Sequence, residues 1–185
     1  MRRLFLASTL LLAVAVPATA GEIAGVTMPD TVKVEGTTLT LNGMGIRKKL
    51  FIKVYVGGLY LPAKTGDANA ILAADSPRRL AMHFLYSEVS AAKLVAAWRE
   101  GFDANSKAQL PALQQRLDTF CGWWPAMKSG ERAELTYQPG SGTRLAINGT
   151  DKGIIPGADF ARALFAVWLG DVPADSGLKQ GMLGR

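Results

Sequence analysis

The sequence predicts an α+β domain with helices packed on an antiparallel sheet. Three observations carry that expectation. Alternating apolar and polar segments crowd the first half of the chain, from Val26 to Leu85. Segments with apolar residues at helical spacing follow from Ser87 onward. A strand–turn–strand signal, Arg132 to Gly149, lies between two of those helical stretches. Strands, helices, hairpin and helices in that order suit helices laid on an antiparallel sheet.

The chain opens with Arg2 and Arg3, an apolar run from Leu4 to Val16, then Pro17 and Ala18-Thr19-Ala20. A charged start, a short apolar middle and a small-x-small end form the pattern of a secretory signal peptide. The run is too short to span a bilayer comfortably. Cleavage after Ala20 is expected, with export to the periplasm and one domain over residues 21–185. The stretch VTMPDTVKVEGTTLTLNG alternates and breaks at Gly36, which predicts two short strands. Leu50 to Pro62 is rich in Val, Ile, Tyr and Phe and predicts a long strand, or two bent at Gly57-Gly58. Asp67 to Asp75 predicts a short helix capped by Asp67, and Arg78 to Leu85 another strand. Val89, Leu94, Ala97, Trp98 and Phe102 share a helical stripe within Ser87 to Ser106. A second helix is expected over Leu110 to Trp124, an amphipathic one over Gly157 to Gly170 and a short closing helix within ADSGLKQGMLG. Pro156 and Gly157 mark where the amphipathic helix starts, and Asp159 charges its first turn.

Composition narrows the function. The chain has 185 residues, 49% hydrophobic and 19% charged, which suits a packed globule. Net charge is +6, of which Arg2 and Arg3 supply two. The cations are scattered, with no basic stripe interleaved with aromatics, so nucleic acid is not an expected partner. One cysteine, Cys121, cannot form an internal disulfide and reads as a small buried hydrophobe. One His and one Cys are too few for a zinc centre. His83 lies between Met82 and Phe84 on a strand and no Gly-x-Ser-x-Gly elbow exists, so a hydrolase triad is not expected. NGMGIR lacks the third glycine and the following helix of a dinucleotide site; its glycines read as a turn or bulge. No metal and no cofactor are expected.

The informative stretch is LNGMGIRKKLFIKVYVGGLYLP, Leu41 to Pro62. Strict alternation places Phe51, Lys53, Tyr55 and Leu59 on one face, with Arg47 in the turn before them. A guanidinium beside a phenol on an apolar floor suits an anionic group on a greasy ligand. The same residues also fit a solvated sheet face with snorkelling side chains, and the pattern leaves both readings open. Lys48 and Lys49 read as solvated turn charges, and Trp98 and Trp168 as core.

This stretch, followed by RRLAMHFLYSEVSAAKLVAAW and NGTDKGIIPGADFARALFAVWLGDVPADSGLKQGMLG, resembles the chalcone isomerase-like family in its exported bacterial branch. The order and spacing of the three blocks over residues 21–185 carry the resemblance. It implies an open-faced β-sandwich, a large antiparallel sheet covered on one side by helices. Relatives in plants include catalytic chalcone isomerases, fatty-acid-binding proteins and non-catalytic helpers. The catalytic branch holds a phenoxide with an Arg in the G-x-R turn, which falls on Arg47 here. A Lys on the next strand matches Lys53. The Thr that polarises the substrate ketone is replaced by Tyr55. A Tyr at the start of the following helix matches Tyr86, and the catalytic Asn of that helix becomes Lys93.

The resemblance therefore implies one retained cation and altered polar groups. It favours a binder of an amphipathic, fatty-acid-like anion without turnover, held by Arg47, Lys53, Tyr55 and Tyr86. An isomerase of the intramolecular-lyase type, acting on a chalcone-like or other enone, is the alternative. A protein-interaction module is a third reading, with Trp123-Trp124 as its candidate surface, because adjacent residues cannot share one face of a regular element.

Overall fold

The computed structural model describes residues 21–185, so the expected signal peptide lies outside the described residues. The elements, in chain order, are β1 (Gly21–Ile23), β2 (Val26–Met28), β3 (Thr31–Val34), β4 (Thr37–Lys49), β5 (Ile52–Leu61), α1 (Ala68–Ala73), β6 (Arg78–Phe84), β7 (Glu88–Val89), α2 (Ala91–Ser106), α3 (Leu110–Gly122), β8 (Met127–Lys128), β9 (Arg132–Gln138), β10 (Gly142–Ile147), β11 (Thr150–Ile155), α4 (Ala158–Leu169) and α5 (Ser176–Met182). Seven strands form one antiparallel sheet in the order β11-β10-β9-β6-β5-β4-β3. The helices cover one face of it, as expected.

The turns follow their glycines. Ala24-Gly25, Glu35-Gly36 and Asn148-Gly149 each close a two-residue hairpin with both residues at positive φ. That conformation matches the right-handed twist of the flanking strands, and glycine adopts it at little cost. The Asn148-Gly149 turn leads into β11, a strand that the sequence reading stopped short of.

Gly43 and Gly45 form no turn; of the turn or bulge expected, the bulge is found, where the β4–β5 register shifts between Leu41 and Gly43. They lie inside a 13-residue strand, β4, and let α5 approach it backbone to backbone. A Cβ on Gly43 would lie 2.2 Å from the carbonyl oxygen of Gly181, and one on Gly45 2.7 Å from that of Leu178. Asn42 pins the same junction. Its side-chain amide donates to the carbonyls of Met182 (2.7 Å) and Thr65 (3.0 Å) and its oxygen accepts from Thr65 N–H (2.8 Å). Gly57 and Gly58 likewise leave β5 unbroken; they make room for Leu178 on one face and Met28 on the other.

The main core lies between sheet and helices. Nine of the twelve α4 residues are buried, so α4 is apolar nearly all round and forms the central helix of that layer. Trp98 on α2 packs against Trp168 on α4, with ring centroids 5.4 Å apart. Trp124 is buried against Trp98, and Trp123 is half-buried over Gly153. Trp124 is therefore core, and Trp123 is partly covered. A smaller core on the opposite face joins Val26 and Met28 of the β1–β2 ribbon to Leu39, Val56 and Tyr60.

One buried cation is structural as well. Arg78 is 1% exposed and its Nη1 donates to the carbonyls of Ile71 and Ala74 at the end of α1. Its guanidinium is 4.9 Å from the ring centroids of both Tyr137 and Phe165. Those carbonyls and ring faces offset part of the cost of burying the charge. Burial still pulls its pKa down to about 10.

Candidate functional site

The site is built by the β4–β5 hairpin, and a bulge decides its layout. Arg47 pairs with Tyr55 across the hairpin, and Lys48 pairs with Lys53, which leaves Val54 as an extra residue on β5. A bulge of this kind puts two successive side chains on one face. Val54 and Tyr55 thus both join the core under the helices, whereas Val56 belongs to the opposite core. The strict alternation read from the sequence breaks here. Lys53 does not share the face of Tyr55. It is exposed and outside the cavity, while Ile52 and Val54 on either side of it line the wall. Arg47 is likewise not in a turn before the strand but within β4, directly opposite Tyr55.

The cavity measures about 380 Å³, within the size range of small-molecule sites. Arg47, Lys49, Leu50, Ile52 and Val54 form the hairpin wall. Tyr86, Glu88 and Val89 form one end, and Lys93, Ala96, Ala97 and Glu100 of α2 face the hairpin. The Val54 carbonyl accepts from the Leu85 and Tyr86 N–H groups (2.9 and 3.2 Å), which draws Tyr86 to the rim. Ser90 caps α2 and sets its first turn, including Lys93, against the opening. A second hollow of about 110 Å³ continues past Arg47 between α2 and Val172-Pro173-Ala174. Arg47, Ala97 and Glu100 border both. The main wall carries three cations and two carboxylates, an excess of one positive charge.

Arg47 and Tyr55 make the chemical centre. The Arg47 guanidinium carbon lies 5.8 Å from the Tyr55 ring centroid. No carboxylate among the described residues comes within 4.0 Å of Arg47, and its buried Nε has no hydrogen-bond partner. Tyr55 is wholly buried, and its hydroxyl oxygen accepts from Trp168 Nε1–H at 2.8 Å. No acceptor among the described residues takes the Tyr55 proton. Burial pushes the phenol pKa up, and the neighbouring Arg47 charge opposes that rise without cancelling it. The phenol is therefore a neutral donor at ordinary pH, beside a cation without a counter-ion. A guanidinium without an ion pair on a largely apolar wall is an arrangement that accommodates an anion.

Of the four residues expected at the site, the structure gathers Arg47 and Tyr86 on the cavity wall and Tyr55 beneath Arg47. Lys93, matched by resemblance to a catalytic Asn, also faces the cavity. Trp168 was expected only as core. Its role in orienting Tyr55 depends on a contact 113 residues apart in sequence, for which no local signal exists.

No curated protein matches the sequence. Among solved structures, a fatty-acid binding protein of Arabidopsis thaliana is similar with a TM-score of 0.71 at 17% identity, covering 89% of this chain and 96% of that one. At that identity the likeness shows the shared fold. The sequence profile described as chalcone isomerase-like matches residues 20–184, and the chain belongs to the chalcone isomerase-like family.

Proposed function

We propose that this protein binds an amphipathic, fatty-acid-like anion in the cavity between the β4–β5 hairpin and α2, without turnover. The observation that carries the reading is the Arg47 guanidinium, without an ion pair, on the wall of an apolar hollow with the Tyr55 phenol buried beneath it. A carboxylate placed there would accept from Arg47, which Tyr55 supports from below, and its chain would lie against Ile52, Val54, Val89 and Ala96. Tyr86 offers a further hydroxyl at the rim. The similarity to a fatty-acid binding protein supports the ligand class. Turnover of an enone is not favoured, because Lys53 lies outside the cavity and the position of the ketone-polarising Thr holds a buried Tyr55. Export to the periplasm and membership of an exported bacterial branch belong to the same proposal, supported by the residue order of 2–20. An intact mass starting at Gly21 would test export.

Native mass spectrometry of the protein purified from its host tests the binding reading. The wild type is expected to carry a mass of fatty-acid size, and Arg47→Ala to lose it while keeping its melting transition. A wild type that flies empty and takes up no added palmitate defeats the reading. Loss of enone absorbance on incubation with a chalcone would replace it with the isomerase.

A further inference from the structure

We infer that the tip of the β4–β5 hairpin is a docking element for an anionic lipid surface. Leu50 is 87% exposed, Phe51 100% and Ile52 44%, three consecutive large apolar side chains in water. Nothing in the fold asks for them there. Lys49 pairs with Ile52, so Leu50-Phe51 is a two-residue turn, as Ala24-Gly25, Glu35-Gly36 and Asn148-Gly149 are, but with positive φ at its first residue alone. Each of those carries glycine in its second position. This one carries leucine and phenylalanine, with Leu50 at a left-handed φ of +56° like the first residue of each of the others. A turn that holds two large apolar side chains in water, where the other two-residue hairpins place Ala, Glu, Asn and Gly, is shaped for something outside the molecule.

The surroundings say what that is. Lys48 and Lys49 precede the tip and Lys53 follows it, all exposed, with no ion pair among the described residues. An apolar wedge within a collar of ammonium groups matches the two layers of a lipid surface. The wedge meets the acyl boundary and the collar meets anionic headgroups. A protein pocket would need acidic groups at fixed positions, whereas a lipid surface accepts charges at any azimuth. The hairpin is also only two strands wide at its end, narrow enough to enter an interface without moving the sheet. Lys49, Leu50 and Ile52 belong to the cavity wall too, so a docked tip sets the cavity mouth against lipid. This last consequence rests on the binding reading; the docking itself does not.

Flotation with vesicles tests the inference, using equimolar phosphatidylglycerol and phosphatidylcholine against pure phosphatidylcholine. The wild type is expected to float with the anionic vesicles and to be released by high salt. Leu50→Asn/Phe51→Gly places at 50 a residue that tolerates a left-handed φ and removes side chains that bury nothing, so it should melt no lower than wild type. Its partition should fall about tenfold or more, from the loss of two inserted apolar side chains. Lys48→Glu/Lys53→Glu should also fall and lose its salt dependence. All forms carry the same N-terminus, so any contribution of residues 1–20 is common to them. Arg47→Ala should still float, which separates a failure of docking from a failure of ligand binding. The inference is overturned if wild type ignores anionic vesicles, or if the tip variant floats as well as wild type. It is equally overturned if wild type ignores lipid but is a dimer that the tip variant dissociates, because a second copy then covers the tip.

Discussion

Replacing Tyr55 with Phe removes one oxygen and leaves the rest of the site in place. The ring stays packed against Phe84, 5.5 Å between centroids. What changes is the partner of Trp168, whose Nε1–H donates to the Tyr55 hydroxyl at 2.8 Å. Trp168 is 1% exposed, so water has little access to the freed N–H. Leaving a buried donor unmatched costs about 1–3 kcal/mol. Part of that returns, because a buried hydroxyl no longer has to be desolvated, so a net loss of about 1–2 kcal/mol is expected. For a domain of this size that lowers the melting temperature by roughly 2–8 °C. Calorimetry on Tyr55→Phe measures the shift. A double-mutant cycle with Trp168→Phe isolates its cause, since the Tyr55→Phe penalty should shrink where no indole N–H remains. A Tyr55→Phe protein as stable as wild type, or an equal penalty in both backgrounds, would refute the assignment of Trp168 as the group that orients the phenol.

Further outcomes are expected elsewhere in the molecule. A Cβ on Gly181 would stand 2.3 Å from the carbonyl oxygen of Met44, and backbone cannot yield as a side chain does. Gly181→Ala should therefore cost about 1–3 kcal/mol or more, read as a lower urea midpoint with unchanged slope. Gly122→Ala, at the end of α3 with nothing within 4 Å, should instead be neutral or slightly stabilising. Burial and the neighbouring Arg132 charge lower the His83 pKa in the folded state. The fold thus favours neutral imidazole. That contribution is fully present above the unfolded value of about 6.5 and is lost as pH falls through it toward the folded value. Urea titrations at about pH 7.5 and about pH 5 should show wild type losing more stability on acidification than His83→Gln. A parallel loss in both proteins would count against it.

Much of the architecture was legible in local pattern. Gly36 and the Pro-Gly-Ser-Gly run marked hairpin turns, Asp67 marked a cap, and the apolar spacing of Phe160 to Leu169 marked a helix, all as found. Such signals are readable because a turn's φ, a cap's hydrogen bond and an amphipathic stripe depend on residues a few positions apart. Asn148-Gly149 held the same kind of signal, and the strand after it could have been read from it.

The sequence by itself determined the alternation of strands and helices, an antiparallel sheet under helices, and Arg47, Lys53 and Tyr55 as the residues to watch, with Tyr86 added by resemblance. Tertiary structure decided how they are used. One bulged residue, Val54, moved Lys53 off the face of Tyr55, and no composition rule announces a bulge whose cause is pairing with another strand. Gly43 and Gly45 became contact points for α5 beside a bulge, with no turn, because glycine is needed equally for a bend and for close backbone approach. The partner of Tyr55 came from α4, far along the chain. An anion site is a statement about which donors remain without acceptors, and that is fixed only once every other group has found its partner in three dimensions.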